Sequence, residues 1–108
     1  MVQYAKVVDG KVAICNEHGA TSYTIYPCEG RAIFVDLNPI DGRVLITTDT
    51  GKVLIYGSNG GGCSVRFQSG STNKTIVLAR WQGNDIFTQN SDGSCILRSA
   101  IGTEIRRL

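Results

Sequence analysis

An apolar run, a proline and glycine turn and two further apolar runs follow one another from Ile33 to Tyr56, IFVDLNPIDGRVLITTDTGKVLIY. Valine, isoleucine and threonine are frequent in all three runs, and these β-branched residues favour strands. Glycine supplies the positive φ that tight turns between strands often need. Residues 33–56 therefore predict three consecutive strands joined by short turns.

Three segments of the chain, residues 10–19, 42–51 and 84–93, can be superposed without gaps. Each reads as a short strand closed by a polar turn that ends in glycine, and such self-similarity is the signature of a repeat protein. The first strand position is β-branched in every segment, at Val12, Val44 and Ile86. We expect these three residues to face the core in equivalent ways, because alternate side chains of a strand share a face.

Further strands can be drawn before and after each superposed segment, which gives about eleven strands in groups of three, four and four. No window shows the apolar spacing of an amphipathic helix. The sequence therefore predicts a single all-β domain of about three four-stranded units, roughly 1–31, 32–70 and 71–108. The first unit has no room for a fourth strand.

Composition narrows the class of protein. With 108 residues, 42% of them hydrophobic, the chain can form one core but not two. The formal net charge of +2 is small and dispersed, which argues against a nucleic-acid partner. Apolar runs are far shorter than the roughly 20 residues of a membrane-spanning helix, and residues 1–6 lack the pattern of a secretion signal. We therefore expect a cytoplasmic protein that does not contact a membrane.

No pattern of residues indicates a metal or a cofactor. The cysteines lie far apart and form no Cys-x-x-Cys pair, so we expect buried thiols at Cys15, Cys28, Cys63 and Cys95. The one histidine, His18, lies at a predicted turn without a positioned partner, and no nucleophile motif is present. The sequence thus favours a protein that is not an enzyme.

Residues 33–56 resemble a blade of the β-propeller families, in which an apolar strand, a Pro-x-Asp-Gly turn, a second strand, a polar turn with glycine and a third strand ending in an aromatic residue follow one another. The third unit is similar from Thr75 to Ser99, and the first from Val2 to Tyr26. The resemblance implies blades that pack face to face around an axis. Three blades would leave two apolar faces open, and a homodimer would close a ring of six. The alternative fold is a β-trefoil, which closes its three units within one chain.

Two groups of side chains are candidates for ligand binding. A basic and aromatic group would offer a base or a sugar a stacking surface on Trp81, and it consists of Arg80 and Trp81 with Arg98, Arg106 and Arg107. Tyr56 is a further candidate for stacking on a sugar. A ring of carboxylates at one end of the assembled toroid would come from Glu17, Asp49 and Asp92. Both groups also have a structural explanation, since a tryptophan fills space between units and aspartate before glycine is common in turns.

Three functions are compatible with these patterns. The first is a self-assembling binding module whose turns contact a protein or carbohydrate ligand. The second is a monomeric carbohydrate-binding β-trefoil in which Trp81 or Tyr56 stacks on the sugar. The third and least favoured is a hydrolase that uses Asp49, Asp92 and His18.

Overall fold

The computed structural model describes residues 3–58, 62–69 and 74–108. Within them the chain forms eleven strands and no helix: β1 (Tyr4–Val8), β2 (Lys11–Cys15), β3 (Thr21–Ile25), β4 (Ala32–Leu37), β5 (Val44–Thr48), β6 (Val53–Tyr56), β7 (Cys63–Phe67), β8 (Ile76–Gln82), β9 (Asp85–Asn90), β10 (Cys95–Arg98) and β11 (Glu104–Arg107). Accordingly, no helix among these residues could span a membrane. The predicted boundary between the second and third units falls on residues 70–73, outside the described residues.

The strands form three separate antiparallel sheets in which neighbours along the chain pair. The first sheet is β1-β2-β3, the second is β4-β5-β6-β7 and the third is β8-β9-β10-β11. The predicted grouping of strands into three, four and four is confirmed. The longest strand is β8, which continues through Trp81 to Gln82.

The second sheet lies between the other two, and both of its faces are buried. Its face towards the first sheet contributes Val44, Ile46, Leu54 and Tyr56 to one apolar cluster. Its opposite face contributes Leu45, Val53 and Ile55 to a second cluster, shared with the third sheet. Every residue of β5 and β6 is buried as a result. Burial of these side chains on both faces is the main stabilising contribution that the sequence pattern provides.

The first sheet is not placed as the superposed segments predict. In the third sheet, β8 packs against both β4 and β5 of the preceding sheet, whereas β4 packs chiefly against β1 and touches β2 only slightly. At the start of β4 the Ala32 amide donates to the Gly10 carbonyl in the β1–β2 turn, at 2.9 Å. Thr75, just before β8, lies in the same way against Gly51 in the β5–β6 turn. The β1–β2 hairpin is therefore the equivalent of β5–β6.

This placement corrects the predicted equivalence of Val12 with Val44 and Ile86. Val12 and Ile14 face the second sheet and lie in one cluster with Val44 and Ile46. They occupy the places that Val53 and Ile55 hold relative to the third sheet. The reason is the number of strands in the first sheet. The chain reverses direction at the β1–β2 turn, at the β2–β3 turn and in the short link after β3, so that β4 begins beside the β1–β2 turn and runs antiparallel to β1.

We call β4 and β8 the inner strands, because each is the first strand of its sheet and the two sheets meet along them. The first sheet consists of the equivalents of the second, third and fourth strands, so the strand that it lacks is the inner one. A signal for this arrangement is present in the sequence at Asp9-Gly10. Both residues have positive φ, at 53° and 77°, as a two-residue hairpin turn requires.

Candidate functional site

Trp81 fills the space between the second and third sheets. It is 8% exposed, its backbone amide donates to the Asp36 carboxylate at 2.7 Å, and the Arg43 guanidinium lies 4.5 Å from the centre of its ring. The indole N–H has no partner among the described residues. The ring is therefore enclosed between the two sheets and forms part of the apolar cluster there.

Arg80 lies next to Trp81 in sequence but on the other side of the third sheet, because neighbouring side chains of a strand alternate. Its guanidinium lies 4.6 Å from the centre of the Phe87 ring, on the face turned away from the second sheet. The predicted basic and aromatic group is therefore divided between a buried and an exposed surface.

Tyr56 is also enclosed. It is 6% exposed, and its hydroxyl accepts a hydrogen bond from the Cys28 amide at 3.0 Å. Burial raises the pKa of Tyr56 to about 12. Burial likewise raises the pKa of the nearby Cys63 thiol. The expectation that all four cysteines are buried is wrong, since Cys15 is buried, Cys63 and Cys95 are half-buried and Cys28 is exposed.

The acidic turn residues do not form the predicted ring. Asp49 and Asp92 lie in equivalent turns, but Glu17 lies at the opposite end of the first sheet, near Tyr4 at the start of β1. The residue that matches Asp49 and Asp92 is Asp9, in the β1–β2 turn. These three aspartates lie in the β1–β2, β5–β6 and β9–β10 turns. An alignment of β1 and β2 with β5 and β6 would therefore have identified Asp9 from sequence.

Each of these aspartates has a local partner. Asp9 pairs with the Arg31 side chain at 3.1 Å, and Asp49 accepts a hydrogen bond from the Arg31 amide at 2.9 Å. Asp92 accepts hydrogen bonds from Ser94 and pairs with Lys74 at 3.1 Å. These contacts, with those to Ser94 the strongest, lower the pKa of Asp92 to about 2. His18 lies 3.7 Å from Glu17 and is distant from both Asp49 and Asp92, which the predicted hydrolase would bring together.

Comparisons with known proteins identify the fold. No family model and no curated protein matches the sequence. Among solved structures, BamB from Moraxella catarrhalis superposes with a TM-score of 0.70 at 12% identity, over 99% of this chain and 38% of that one. The β-propeller domain of Cps50 (Swd1) from Myceliophteria thermophila superposes with a TM-score of 0.69 at 13% identity, over 98% of this chain and 33% of that one. This chain has a β-propeller fold.

The propeller resemblance is thus confirmed, and the β-trefoil alternative is wrong. A trefoil would join strands from all three units in a common barrel, whereas here each propeller blade pairs only its own strands. The chain spans 38% of the length of one of these solved propellers and 33% of the other. At this level of identity the likeness shows the fold and not the function.

The outer faces of the first and third propeller blades are covered by no other blade among the described residues. On the first blade a cleft of about 420 Å³ opens away from the second blade. Ala13 lies at its floor, and Lys6, Lys11 and Tyr26 line its sides. The Lys11 ammonium lies 5.2 Å from the centre of the Tyr26 ring. The cleft therefore combines a small apolar floor with a basic and aromatic margin.

The third blade turns apolar side chains outward. Phe87 pairs with Leu97 across β9 and β10, as Leu45 pairs with Ile55 across β5 and β6. Leu45 and Ile55 are buried against the third blade, whereas no blade among the described residues covers Phe87 and Leu97. Arg80 lies over the half-buried Phe87, Arg106 is paired with Leu97, and Leu97 is 7% exposed. Comparison of β9 with β5 in sequence would have found this pair, because both strands lie in superposed segments.

Proposed function

We propose that the chain is a β-propeller binding module and that a second copy closes its ring. The observation that carries this proposal is the outward face of the third blade. Phe87 and Leu97 occupy positions that in the second blade form a buried interface between blades. Blades bury their apolar faces against neighbouring blades, and such repeats gain stability from each added neighbour.

The two open faces have matching shapes. Phe87 and Arg80 stand out from the third blade, over the buried Leu97, while the first blade is recessed over Ala13. A two-fold axis would place the third blade of each copy on the first blade of the other, so that two identical contacts close a ring of six. Six lies within the range of four to eight blades found in propellers.

The positive charges on the two open faces predict how salt affects the association of two copies. Lys6 and Lys11 on the first blade would meet Arg80 and Arg106 of the partner copy. Like charges at close range repel, and dissolved salt screens the repulsion. Association should therefore become tighter as ionic strength rises, the reverse of an interface held by salt bridges.

Sedimentation equilibrium over a range of salt concentrations tests the proposal. We expect a species of twice the monomer mass of 11.6 kDa at micromolar concentration, with more dimer at higher salt. Arg106→Glu should tighten the dimer about two- to five-fold, since it replaces a repulsive pair with an attractive one. Arg107→Glu is the matched control, because Arg107 is the next residue of β11 and points to the opposite face.

Two results would contradict ring closure by a second copy. One is a folded monomer at every concentration and salt level. The other is an equal effect of both substitutions, which would mean that net charge and not the outward face governs association. The ligand of the module would be a protein or a carbohydrate held by the blade turns, and the ligand roles of Trp81, Arg80, Tyr56, Asp49 and Asp92 stay predictions.

A further inference from the structure

The inner edge of β1 is unpaired at the place where the second and third blades carry an inner strand. In the second blade β4 covers β5, and all five residues of β5 are buried. In the first blade β1 holds the place of β5 without an inner strand beside it. Val7, on the face towards the second blade, is 36% exposed, whereas Thr47, at the equivalent position of β5, is fully buried. Tyr4 and Val8 lie on the opposite, outward face with Lys6.

None of the eleven strands among the described residues pairs with this edge. All eleven strands among the described residues already belong to a sheet, and the links between them are short. A second copy uses its strands in the same way, so closure of the ring leaves both β1 edges open. The edge also differs from the sheet faces that close the ring, so a monomer can use it.

We propose that β1 binds an extended segment of another protein, which adds to the first blade as its inner strand and runs antiparallel to β1. Backbone hydrogen bonds to an exposed strand edge would provide affinity, and alternate side chains would provide specificity. The outer edge of the third blade is a poorer acceptor, because β11 carries Glu104, Arg106 and Arg107, and charged edge strands resist further pairing.

The chemistry of the segment follows from the strands that fill the same place in the other blades. β4 reads Ala32-Ile33-Phe34-Val35-Asp36-Leu37, which is apolar and rich in β-branched residues. Lys6 in β1 corresponds to Ile46 in β5, which pairs with Val35. A segment with an acidic residue at the position of Val35 would therefore place a carboxylate opposite Lys6. Opposite charges that face each other across neighbouring strands attract.

A fluorescein-labelled peptide with the sequence of residues 31–38 is the first probe, and fluorescence anisotropy measures its binding to the full chain. Two further peptides carry N-methyl groups on alternate amides, one set in each. An added edge strand forms backbone hydrogen bonds with one neighbour only, through every second amide. The peptide methylated on the amides that point away from β1 should therefore bind as the parent does, and the peptide methylated on the amides that point towards β1 should not. Failure of the parent peptide to bind, or equal behaviour of the methylated pair, would overturn the proposal.

Location is tested by amide hydrogen exchange with the peptide bound. Protection should increase in β1, and protection confined to β3, β7 or β11 would overturn the proposal.

A charge exchange tests the register: a peptide with glutamate at the position of Val35 should bind about two- to five-fold more tightly than one with lysine. Lys6→Glu should reverse this preference, and Lys11→Glu, on the same face but in β2, should reduce it only slightly. Equal effects of the two substitutions would contradict the proposed register.

Discussion

Tyr56 illustrates how an individual residue acquired a structural role where the sequence suggested a binding role. An aromatic residue at the end of a strand is compatible with a stacking platform or with a core position, and only its neighbours decide between them. Here Tyr56 lies in one apolar cluster with Val12 and Ile14 of the first blade, and the linker after β3 covers its hydroxyl through the Cys28 amide. Those neighbours come from another blade, so a local pattern could not reveal them. Trp81 is enclosed for the same reason.

The buried hydroxyl of Tyr56 should make folding sensitive to alkaline pH. Its pKa of about 12 in the folded chain lies above the value of about 10 for an unfolded chain. The stabilising effect of the neutral hydroxyl is therefore complete below pH 10 and is lost as pH rises towards 12. We expect one tyrosine of the four to ionise last in an ultraviolet absorbance titration, and Tyr56→Phe to remove that step.

Tyr26→Phe is the control for this titration, because Tyr26 is 66% exposed. Its loss should leave the last ionisation unchanged. Ionisation of all tyrosines in a single step near the ordinary pKa would contradict the enclosed position of Tyr56.

At the scale of strands and turns, the sequence predicted most of what the structure contains. Runs of β-branched residues between glycines located all eleven strands, because short strands and tight turns are largely specified by local preference. The predicted alignment of the first unit was wrong, since the superposition matched β2 with β5 and did not use the Asp9-Gly10 turn. Local preference cannot distinguish the second strand of a blade from the third when both are short and apolar.

The turns themselves provide a matched pair of glycines. Gly102 and Gly83 both have positive φ, at 92° and 64°. A Cβ at Gly102 would lie 2.5 Å from Phe67 Cγ, whereas a Cβ at Gly83 would meet nothing within 4 Å. Gly83→Ala should cost about 1–2 kcal/mol from backbone strain alone. Gly102→Ala should cost about 2–5 kcal/mol, because overpacking against the ring adds to that strain.

Urea denaturation followed by tryptophan fluorescence measures both changes. The Phe67 ring cannot easily move away, because the buried Arg98 guanidinium lies 5.4 Å from its centre and donates to the Gly102 carbonyl at 2.9 Å. Equal losses of stability in the two variants would contradict this close contact between the β10–β11 turn and the second blade.

At the scale of the whole molecule, one displaced sheet determines which surfaces are open. Because the first blade holds the second to fourth strands of a blade, Val12 and Ile14 are buried against the second blade, while Lys6 and Ala13 face outward. The same displacement leaves β1 without an inner strand. Both proposals, that a second copy closes the ring and that a segment of another protein adds to β1, depend on this displacement of the first sheet. The number of units was predictable from sequence, but the open surfaces were not, since they depend on how complete blades stack.

Nuclear Overhauser effects between side-chain methyl groups test this placement most directly. We expect effects that connect the methyls of Val12 and Ile14 with those of Val44, Ile46 and Leu54, because all five lie in one buried cluster. The methyl of Ala13 should show none to the second blade. Effects from Ala13 to the second blade, with none from Val12 or Ile14, would mean that β2 is the equivalent of β5 and would contradict the account.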